Sequence, residues 1–396
     1  MTPSVRLRPG RQKSLARRHP WIFSGAIGEV SGNPGAGETV EVVSSAGTWL
    51  ARGAFSLESQ IRVRVWTWDD ATPIDSGFFK ARLMAALARR AVLAEDPETD
   101  AYREVHGESD GLPGLIVDRY GSYRVTQFLS AGAEHWRETI VDALLEIEPD
   151  VRIYDRSDAP VRALEGLPPR CQALAGEAPA APIRIREAGL EFDVDVVRGQ
   201  KTGFYLDQRE SRARVRSEAR LGDVLNCFAY TGGFTVAALA GGAASVLSIE
   251  ESAEAITLGN INVELNGFPP GKAEWLQGDA FALLRKLRDR AETFDTIILD
   301  PPRFASSAAQ VEKAARGYKD INLLAFKLLR PMGTLMTFSC SGGISAEFFQ
   351  TIVAEAAVDA GLDVRIAAWL GQPADHPVTL NFPEGRYLKG LVCRLD

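Results

Sequence analysis

The spacing of hydrophobic residues changes twice along the chain, and each spacing predicts a different arrangement of secondary structure. Up to about residue 72, short runs such as 39–43 and 61–66 place hydrophobic residues at every second position, which is typical of half-buried β-strands. Gly, Pro and Ser residues separate these runs. The segment 1–72 is therefore predicted to be a small domain made mainly of β-strands.

The middle of the chain, over residues 73–182, mixes helical and strand spacing, which predicts a small central α/β domain. An Ala-, Pro- and Gly-rich stretch from 176 to 182 closes it and is typical of a linker. Its predicted elements are a helix at 76–94, strands at 115–118 and 124–128, a helix at 134–147 and a strand near 151–154.

A regular alternation of strand and helix patterns fills residues 183–396, after a hairpin at 183–196. This alternation predicts a doubly wound, Rossmann-like α/β sheet, whose ligand binds at the carboxyl ends of the strands. The predicted strands lie near 222–227, 244–249, 273–277, 295–299, 332–339, 362–369 and 388–394, and the helices near 233–240, 252–266, 280–290, 311–330 and 344–360.

Composition excludes several classes of protein. The 396 residues are 45% hydrophobic with a net charge of −7, which is typical of a globular protein. Four scattered cysteines and no signal peptide predict that the protein is located in the cytoplasm. Four scattered histidines without metal-ligand spacing predict that it has no metal site. The stretch 224–249 has no charge and is long enough to span a membrane, but paired glycines divide it into strand, loop, helix and strand. No membrane partner is therefore expected.

Positive charge is concentrated in two places. Residues 1–30 hold six basic residues and one acidic residue, and residues 198–220 hold seven and three. Such stretches predict phosphate contacts with a nucleic acid, although a solvated basic arm explains the first stretch equally well. The aromatic residues Phe204 and Tyr205 either line a pocket or pack in a core. The candidate RNA-binding residues are Arg6, Arg8, Arg11, Lys13, His19, Lys201, Arg209 and Arg303.

Three successive strand ends carry the groups that an adenosine-containing cofactor needs. The first is followed by a glycine-containing loop, the second ends at Glu250, which can accept hydrogen bonds from a ribose diol, and the third is followed by Asp279, which can meet an adenine amino group. No GxGxxG motif is present, which disfavours a dinucleotide. S-adenosylmethionine is the predicted cofactor, with contacts from Phe228, Tyr230, Thr231, Gly232, Glu250, Asp279, Asp300, Tyr205 and Gln208.

Two further strand ends carry candidate catalytic groups. Asp300 is followed by two prolines, which force an extended exit from the strand and fix the carboxylate at the mouth of the site. Cys340 ends the next strand, close to a predicted helix start, where a thiol can ionise and act as a nucleophile. Cys227 is the rival thiol, but it lies in the strand that leads into the cofactor loop.

Long motifs show that the sequence resembles the bacterial ribosomal RNA large subunit methyltransferase I family, whose members methylate cytosine C5 in 23S rRNA. The resemblance implies an N-terminal PUA domain over 1–72, a central α/β domain, a class I methyltransferase domain over 183–396, and Cys340 as the nucleophile. The motifs are HPWIFSGAI (19–27), HGESDGLPGLIVDRYG (106–121), GQKTGFYLDQR (199–209), LNCFAYTGGF (225–234), LDPPRF (299–304), GYKDIN (317–322), TFSCSG (337–342) and ADHPV (374–378).

Three alternatives to a cytosine-5 enzyme stay open. A uridine-5 enzyme would use the same thiol chemistry, and an enzyme that methylates exocyclic amino groups can carry a similar Asp-Pro-Pro turn, although an aromatic residue usually follows where Arg303 stands. A catalytically silent RNA-binding factor for ribosome assembly is the third. The sequence also leaves the oligomeric state open, with a homodimer as one option.

Deletion of residues 1–72 is expected to weaken binding to rRNA more than binding to S-adenosylmethionine, because the basic segment lies in the part removed. Titration of a labelled rRNA fragment at several salt concentrations, alongside cofactor titration, measures both. Unchanged RNA affinity and salt dependence would contradict this expectation.

Overall fold

The computed structural model describes residues 2–218, 222–304 and 310–395, so Arg220 of the second basic stretch lies outside the described residues. The chain divides into two compact units. The first comprises Met1–Ile185, Val194–Leu206 and Ala374–Gly385, and the second comprises Arg186–Asp193, Asp207–Pro373 and Arg386–Asp396.

The first unit begins with a six-stranded sheet in the order β2-β6-β5-β4-β1-β3. Only β1 and β4 pair in parallel, and inward-facing residues such as Val5, Val40 and Val63 are fully buried between the strands and α1. Its elements are β1 (Ser4–Leu7), α1 (Lys13–Ala16), β2 (Trp21–Phe23), β3 (Ile27–Ser31), β4 (Thr39–Val43), β5 (Trp49–Phe55) and β6 (Ile61–Thr67).

A five-stranded sheet in the order β11-β10-β9-β8-β7 completes the first unit. Trp66 of β6 packs edge-on against Phe79 of α2 with ring centroids 5.4 Å apart, so the two sheets share a hydrophobic core. The elements are α2 (Ser76–Ala88), α3 (Ala91–Ala94), β7 (Ala101–His106), β8 (Leu115–Tyr120), β9 (Tyr123–Phe128), α4 (Ala131–His135), α5 (Arg137–Ile147), β10 (Arg152–Ser157) and β11 (Arg170–Ala175).

The second unit is built on a seven-stranded sheet in the order β16-β15-β14-β17-β18-β20-β19. The first five strands are parallel, and β20 runs antiparallel to both of its neighbours. The elements, after a hairpin β12 (Ile183–Glu187) and β13 (Leu190–Val194), are α6 (Arg209–Glu218), β14 (Asp223–Cys227), α7 (Gly233–Ala240), β15 (Ser245–Glu250), α8 (Ala253–Leu265), β16 (Ala273–Gln277), α9 (Ala280–Asp289), β17 (Phe294–Leu299), α10 (Val311–Leu328), β18 (Leu329–Ser339), α11 (Ala346–Ala360), β19 (Val364–Leu370) and β20 (Lys389–Leu395).

The predicted doubly wound sheet is confirmed, including the uncharged stretch 224–249, which forms β14, α7 and β15. Strand order reverses at β14, since β15 lies on one side of it and β17 on the other. The segments that follow β14 and β17 therefore separate and leave a crevice at the carboxyl edge. Within the described residues no helix is both long and apolar enough to cross a membrane.

Three local expectations differ from the structure. The helix predicted over 76–94 is interrupted at Arg90, whose buried guanidinium binds Asp110 at 2.7 Å. Strand β7 was missed because its Glu104 is buried in an ion pair with Arg124, which breaks the hydrophobic pattern. Helix α6 was also missed, and its residues were interpreted only as a basic stretch. Its buried Arg212 breaks the hydrophobic pattern in the same way as Glu104 does in β7.

Arg212 of α6 does not belong to a solvent-facing basic surface. It is 4% exposed, and its Nε and Nη2 each donate to one carboxylate oxygen of Glu187 at 2.6 Å. A paired guanidinium and carboxylate of this kind tolerate burial only together. Part of the positive charge in residues 198–220 is therefore buried in the second unit and is not available for the phosphate contacts that the sequence predicts.

Glu187→Ala is expected to lower the unfolding free energy by about 3 kcal/mol, because it leaves the Arg212 guanidinium buried without its carboxylate. Urea unfolding monitored by circular dichroism measures the change. Glu29→Ala is the matched control, since Glu29 and its partner Arg6 are largely exposed and contribute little. Equal effects of the two substitutions would contradict the prediction.

Candidate active site

The loop between β14 and α7 adopts a backbone shape with three residues at positive φ. Phe228 and Tyr230 have φ values of 62° and 48°, in the left-handed region that L-residues rarely adopt. Gly232 has a φ of 79°, and a Cβ there would lie 3.3 Å from the indole of Trp275. Asn262 donates to the Thr231 carbonyl at 2.9 Å and supports the loop from α8. Strain of this kind is typical of ligand-binding loops.

Glu250, at the end of β15, holds this loop in place. Its Oε2 accepts from the Tyr230 amide at 2.8 Å, and its Oε1 accepts from the amides of Glu251 and Ser252 at 2.9 and 3.0 Å. A carboxylate has about four acceptor sites, so one site on Oε2 remains for a ribose hydroxyl. Glu250 therefore has a structural role that the sequence analysis did not include.

Asp279 lies at the end of β16 as predicted, where it caps the next helix. Its Oδ1 accepts from the Ala282 amide at 2.8 Å, and the side chain is exposed. The cap fixes the carboxylate at the edge of the crevice, and Oδ2 takes no part in it. That oxygen is available to an amino group of a ligand.

Asp300, at the end of β17, is fixed by a residue distant in sequence. Gln208 is 2% exposed, and its Nε2 donates to Asp300 Oδ1 at 3.0 Å. The Oε1 atom of Gln208 is buried and accepts no hydrogen bond from a described residue. A buried acceptor without a protein donor is costly, so a bound ligand or an ordered water must supply the donor.

Cys340 follows β18 and is partly exposed, between two fully buried serines. The hydroxyl of Tyr318, on α10, lies 3.0 Å from the hydroxyls of both Ser339 and Ser341, so α10 holds the backbone on each side of the thiol. β17 and β18 pair in parallel with Leu299 opposite Thr337, so Asp300 and Cys340 follow neighbouring strands at the same edge. The structure thus brings the two predicted catalytic residues to one edge.

Lys389, the first residue of β20, lies in none of the motifs that predict site residues. Its Nζ donates to the carbonyls of Ser341 and Ile344 at 2.7 and 2.8 Å, and the residue is 6% exposed. Burial lowers the pKa of Lys389 to about 8, against an opposing electrostatic effect of Cys340. The helix expected near residue 344 begins at Ala346. Positive charge near the thiol therefore comes from Lys389 as well as from the helix N-terminus. No local pattern marks this lysine as buried.

The three other thiols differ from Cys340 in exposure or position. Cys227 and Cys393 are buried in the second unit, and burial raises the pKa of both thiols far above the usual value. Cys171 is exposed but lies on β11 of the first unit. Among the described residues of the second unit, Cys340 is thus the thiol suited to nucleophilic chemistry.

The candidate RNA-binding residues of the first unit differ in their freedom to bind a phosphate. Arg11 and Lys13 are exposed, whereas Arg8 donates to the Ile27 carbonyl at 2.9 Å and Arg6 lies 3.5 Å from Glu29. His19 accepts from the Trp21 amide through Nδ1 and lies 3.2 Å from Glu384 through Nε2, so both ring nitrogens are engaged. Arg11 and Lys13, which are exposed, therefore offer the cleaner test of RNA contact.

Some of the remaining candidate residues lie in the first unit and others in the second. Lys201 Nζ lies 4.1 Å from the ring centroid of Tyr205, which itself donates to Gln200, and both belong to the first unit. Phe204 is 3% exposed, which supports its role in a core. Arg209 begins α6 and Arg303 is exposed after β17, both in the second unit.

Comparison with known proteins identifies the family. A family model described as S-adenosylmethionine-dependent methyltransferase matches residues 167–379, and a PUA-like domain matches residues 5–68. The chain is 52% identical over 393 residues to the ribosomal RNA large subunit methyltransferase I of Klebsiella pneumoniae strain 342, covering 99% of this chain and 98% of the relative. It is 50% identical to that of Escherichia coli O139:H28 over the full length of both.

The chain belongs to the ribosomal RNA large subunit methyltransferase I family. Solved structures agree on the fold: a putative methyltransferase from Streptococcus mutans has a TM-score of 0.86 at 21% identity, and a putative methyltransferase complexed with SAH has 0.87 at 21%, each covering 100% of both chains. The expected PUA-like domain, α/β methyltransferase fold and cofactor class are confirmed for this family member, whereas the boundaries at 72 and 182 stay a prediction.

S-adenosylmethionine, the cofactor of this methyltransferase family, fits the residues present. Its hydrogen-bond donors are two ribose hydroxyls, an adenine amino group and an ammonium group. The crevice offers matching acceptors in Glu250, Asp279 and the unmatched Oε1 of Gln208. Asp300 adds negative charge beside Gln208. We infer that these four residues hold the cofactor.

Glu250→Gln is expected to weaken S-adenosylmethionine binding by at least about tenfold, because an amide cannot replace a carboxylate that accepts from three backbone amides. Isothermal titration calorimetry measures the affinity. Glu251→Gln, one residue along and exposed, serves as the control and should leave it unchanged. Equal affinity in the two variants would argue against Glu250 as a cofactor ligand.

Proposed function

We propose that this methyltransferase forms 5-methylcytosine in 23S rRNA, with Cys340 as a covalent nucleophile. Relatives at 50–52% identity over nearly the whole chain are named ribosomal RNA large subunit methyltransferase I, which supports rRNA as the substrate class. The observation that carries the proposal is the partly exposed Cys340 at the same sheet edge as Asp300 and the cofactor loop. An exocyclic-amino methyltransferase needs no such thiol.

The chemistry follows from the low nucleophilicity of cytosine C5. Bond formation between the Cys340 sulfur and C6 moves an electron pair of the C5–C6 double bond into the ring system and makes C5 nucleophilic. S-adenosylmethionine supplies an electrophilic methyl group when bound. Loss of the C5 proton to a base and cleavage of the C6–S bond then restore the double bond and free the thiolate. Cys340 is regenerated, the C5 proton ends on the base that removes it, and S-adenosylhomocysteine would be the leaving group of the methyl transfer.

Asp300 has the position to orient the base in this reaction. We infer that it faces N3 and the amino group of the cytosine, while the amide of Gln208 fixes one carboxylate oxygen at 3.0 Å. Preorganised groups of this kind stabilise charge that develops during addition. The target nucleotide must be unstacked, or must already lie in a single-stranded loop, for its C6 to reach the sulfur.

RNA binding is proposed for exposed basic residues rather than for the whole basic stretches. Deletion of residues 1–72 removes Trp66 from a core that it shares with Phe79, so a variant with exposed substitutions is the cleaner probe. Arg11 and Lys13 meet that requirement, as does Arg303 near the catalytic residues. Since rRNA substrates of bacterial relatives are made in the cytoplasm, the enzyme would act there.

Cys340→Ala is expected to abolish methylation and to lose a covalent complex that the parent protein forms with rRNA containing 5-fluorocytidine and S-adenosylmethionine. Fluorine cannot leave C5 as a proton does, so the adduct persists. Denaturing gel electrophoresis detects the complex, and nucleoside mass spectrometry identifies the product.

Cys171→Ser is the matched control, since its thiol is exposed but lies on β11, and it should retain both activities. RNA with 5-fluorouridine tests the uridine alternative: trapping there, together with 5-methyluridine as the product from unmodified rRNA, would overturn the choice of base. Full activity of Cys340→Ala would overturn the covalent mechanism.

A further inference from the structure

We propose that Lys389 is a positioning residue for methyl transfer: it fixes the chain that leaves Cys340 and keeps the Cys340 sulfur in its anionic form. This inference rests on the proposed role of Cys340 as nucleophile. The observations that carry it are the two hydrogen bonds of the buried ammonium and the charges that surround it.

The first observation is the place of Lys389 in the sheet. β20 runs antiparallel to β18, and Lys389 is the register partner of Ser339, the residue before Cys340. Its Nζ reaches past this pair to the carbonyl oxygens of Ser341 and Ile344. Both carbonyls lie between the thiol and α11, where the backbone has left the sheet ladder. The Lys389 side chain thus donates to two backbone carbonyls outside the sheet ladder, and the Ser341 carbonyl also accepts from the Ile344 amide at 3.1 Å.

The second observation is the charge balance around the ammonium. Three groups act electrostatically on Lys389, namely Cys340, Arg303 and Arg386, and Cys340 acts in the direction opposite to the two arginines. Burial and the two arginines oppose the charged form of the lysine, whereas the thiolate favours it. Electrostatic coupling is reciprocal, so a protonated Lys389 favours the thiolate to the same extent.

Asp300, which follows β17 at the same sheet edge as Cys340, is a carboxylate that opposes a thiolate, so the charge of Lys389 acts against this effect. Tyr318 faces Cys340 from α10, and its pKa is raised, chiefly by burial, so the phenol stays neutral at physiological pH.

Arg303 follows β17 and Arg386 precedes β20, and both are exposed cations. Glu347, at the start of α11, is exposed and interacts with Arg386. Lys389 is buried and held by two hydrogen bonds, whereas Arg303 and Arg386 are exposed, so we assign the stabilisation of the thiolate to Lys389.

The test measures how fast iodoacetamide alkylates Cys340 as a function of pH, in a Cys171→Ser background that removes the exposed thiol of β11. Peptide mass spectrometry assigns the alkylated residue. In this background half-maximal reactivity is expected below pH 8.5, the usual pKa of a free cysteine. Lys389→Met should move it upward by about one pH unit, so that alkylation at pH 7 slows about tenfold.

Two further variants separate charge from packing. Lys389→Arg keeps the positive charge, so its alkylation midpoint should stay close to that of the background protein. Arg386→Met removes an exposed cation whose field is screened by solvent, so it should raise the midpoint by much less than Lys389→Met does. A merely structural role of Lys389 would move the methionine and arginine variants alike.

Methylation assays add a second readout. Lys389→Met should reduce kcat by about tenfold or more while the affinity for S-adenosylmethionine stays the same, and Lys389→Arg should recover part of the rate. A Lys389→Met protein with an unchanged alkylation profile overturns the inference. If Lys389→Met does not fold, the alkylation of Cys340 in the Cys171→Ser protein still tests the inference. A midpoint at or above pH 8.5, the usual pKa of a free cysteine, in that protein overturns the inference.

The failure of this inference is distinguishable from the failure of the proposed function. Full methylation by Cys340→Ala removes the covalent mechanism, and with it the reason for a thiolate. Loss of methylation in Cys340→Ala together with an unchanged alkylation profile in Lys389→Met leaves the mechanism intact and removes Lys389 from it.

Discussion

The active site depends on five parallel strands that end at one edge of a sheet, with the strand order reversed at β14. Right-handed crossovers require the helices that start on either side of this point to cover opposite faces. Accordingly α7 packs against α8, whereas α10 packs against α9 and α11. The crevice between the diverging segments exists because of this constraint. The cofactor residues and the two candidate catalytic residues reach it from separate strands.

Carboxylates give the crevice its shape before any ligand arrives. Glu250 binds three backbone amides, and one of these belongs to Tyr230, a residue held at a positive φ. Asp279 holds the first turn of α9. Each carboxylate thus fixes backbone on the protein side and keeps acceptor capacity on the ligand side. A rigid site of this type loses little entropy when the cofactor binds, because the loop is already ordered.

The sequence predicted the sheet, its strand ends and the carboxylates because these features follow from local patterns. Hydrophobic runs mark buried parallel strands, and an acidic residue directly after such a run marks the strand end. It could not predict partners that the fold brings together from distant positions. Gln208 and Asp300 are 92 residues apart, and Lys389 and Ser341 are 48 apart. Neither Gln208 nor Lys389 lies in a pattern that indicates burial, since both are polar side chains beside hydrophobic runs.

The same limit applies to the argument from charge. A count of basic residues treats every arginine as a surface cation, yet Arg90, Arg124 and Arg212 are buried and bound to carboxylates. Such residues add nothing to the field that an RNA phosphate meets, because each guanidinium is neutralised inside the fold. The exposed cations, among them Arg11 and Lys13 in the first unit and Arg303 and Arg386 in the second, are fewer than the sequence suggests. An acidic protein can therefore bind rRNA only where these few side chains lie together, and specificity must come from the geometry of the site rather than from net charge.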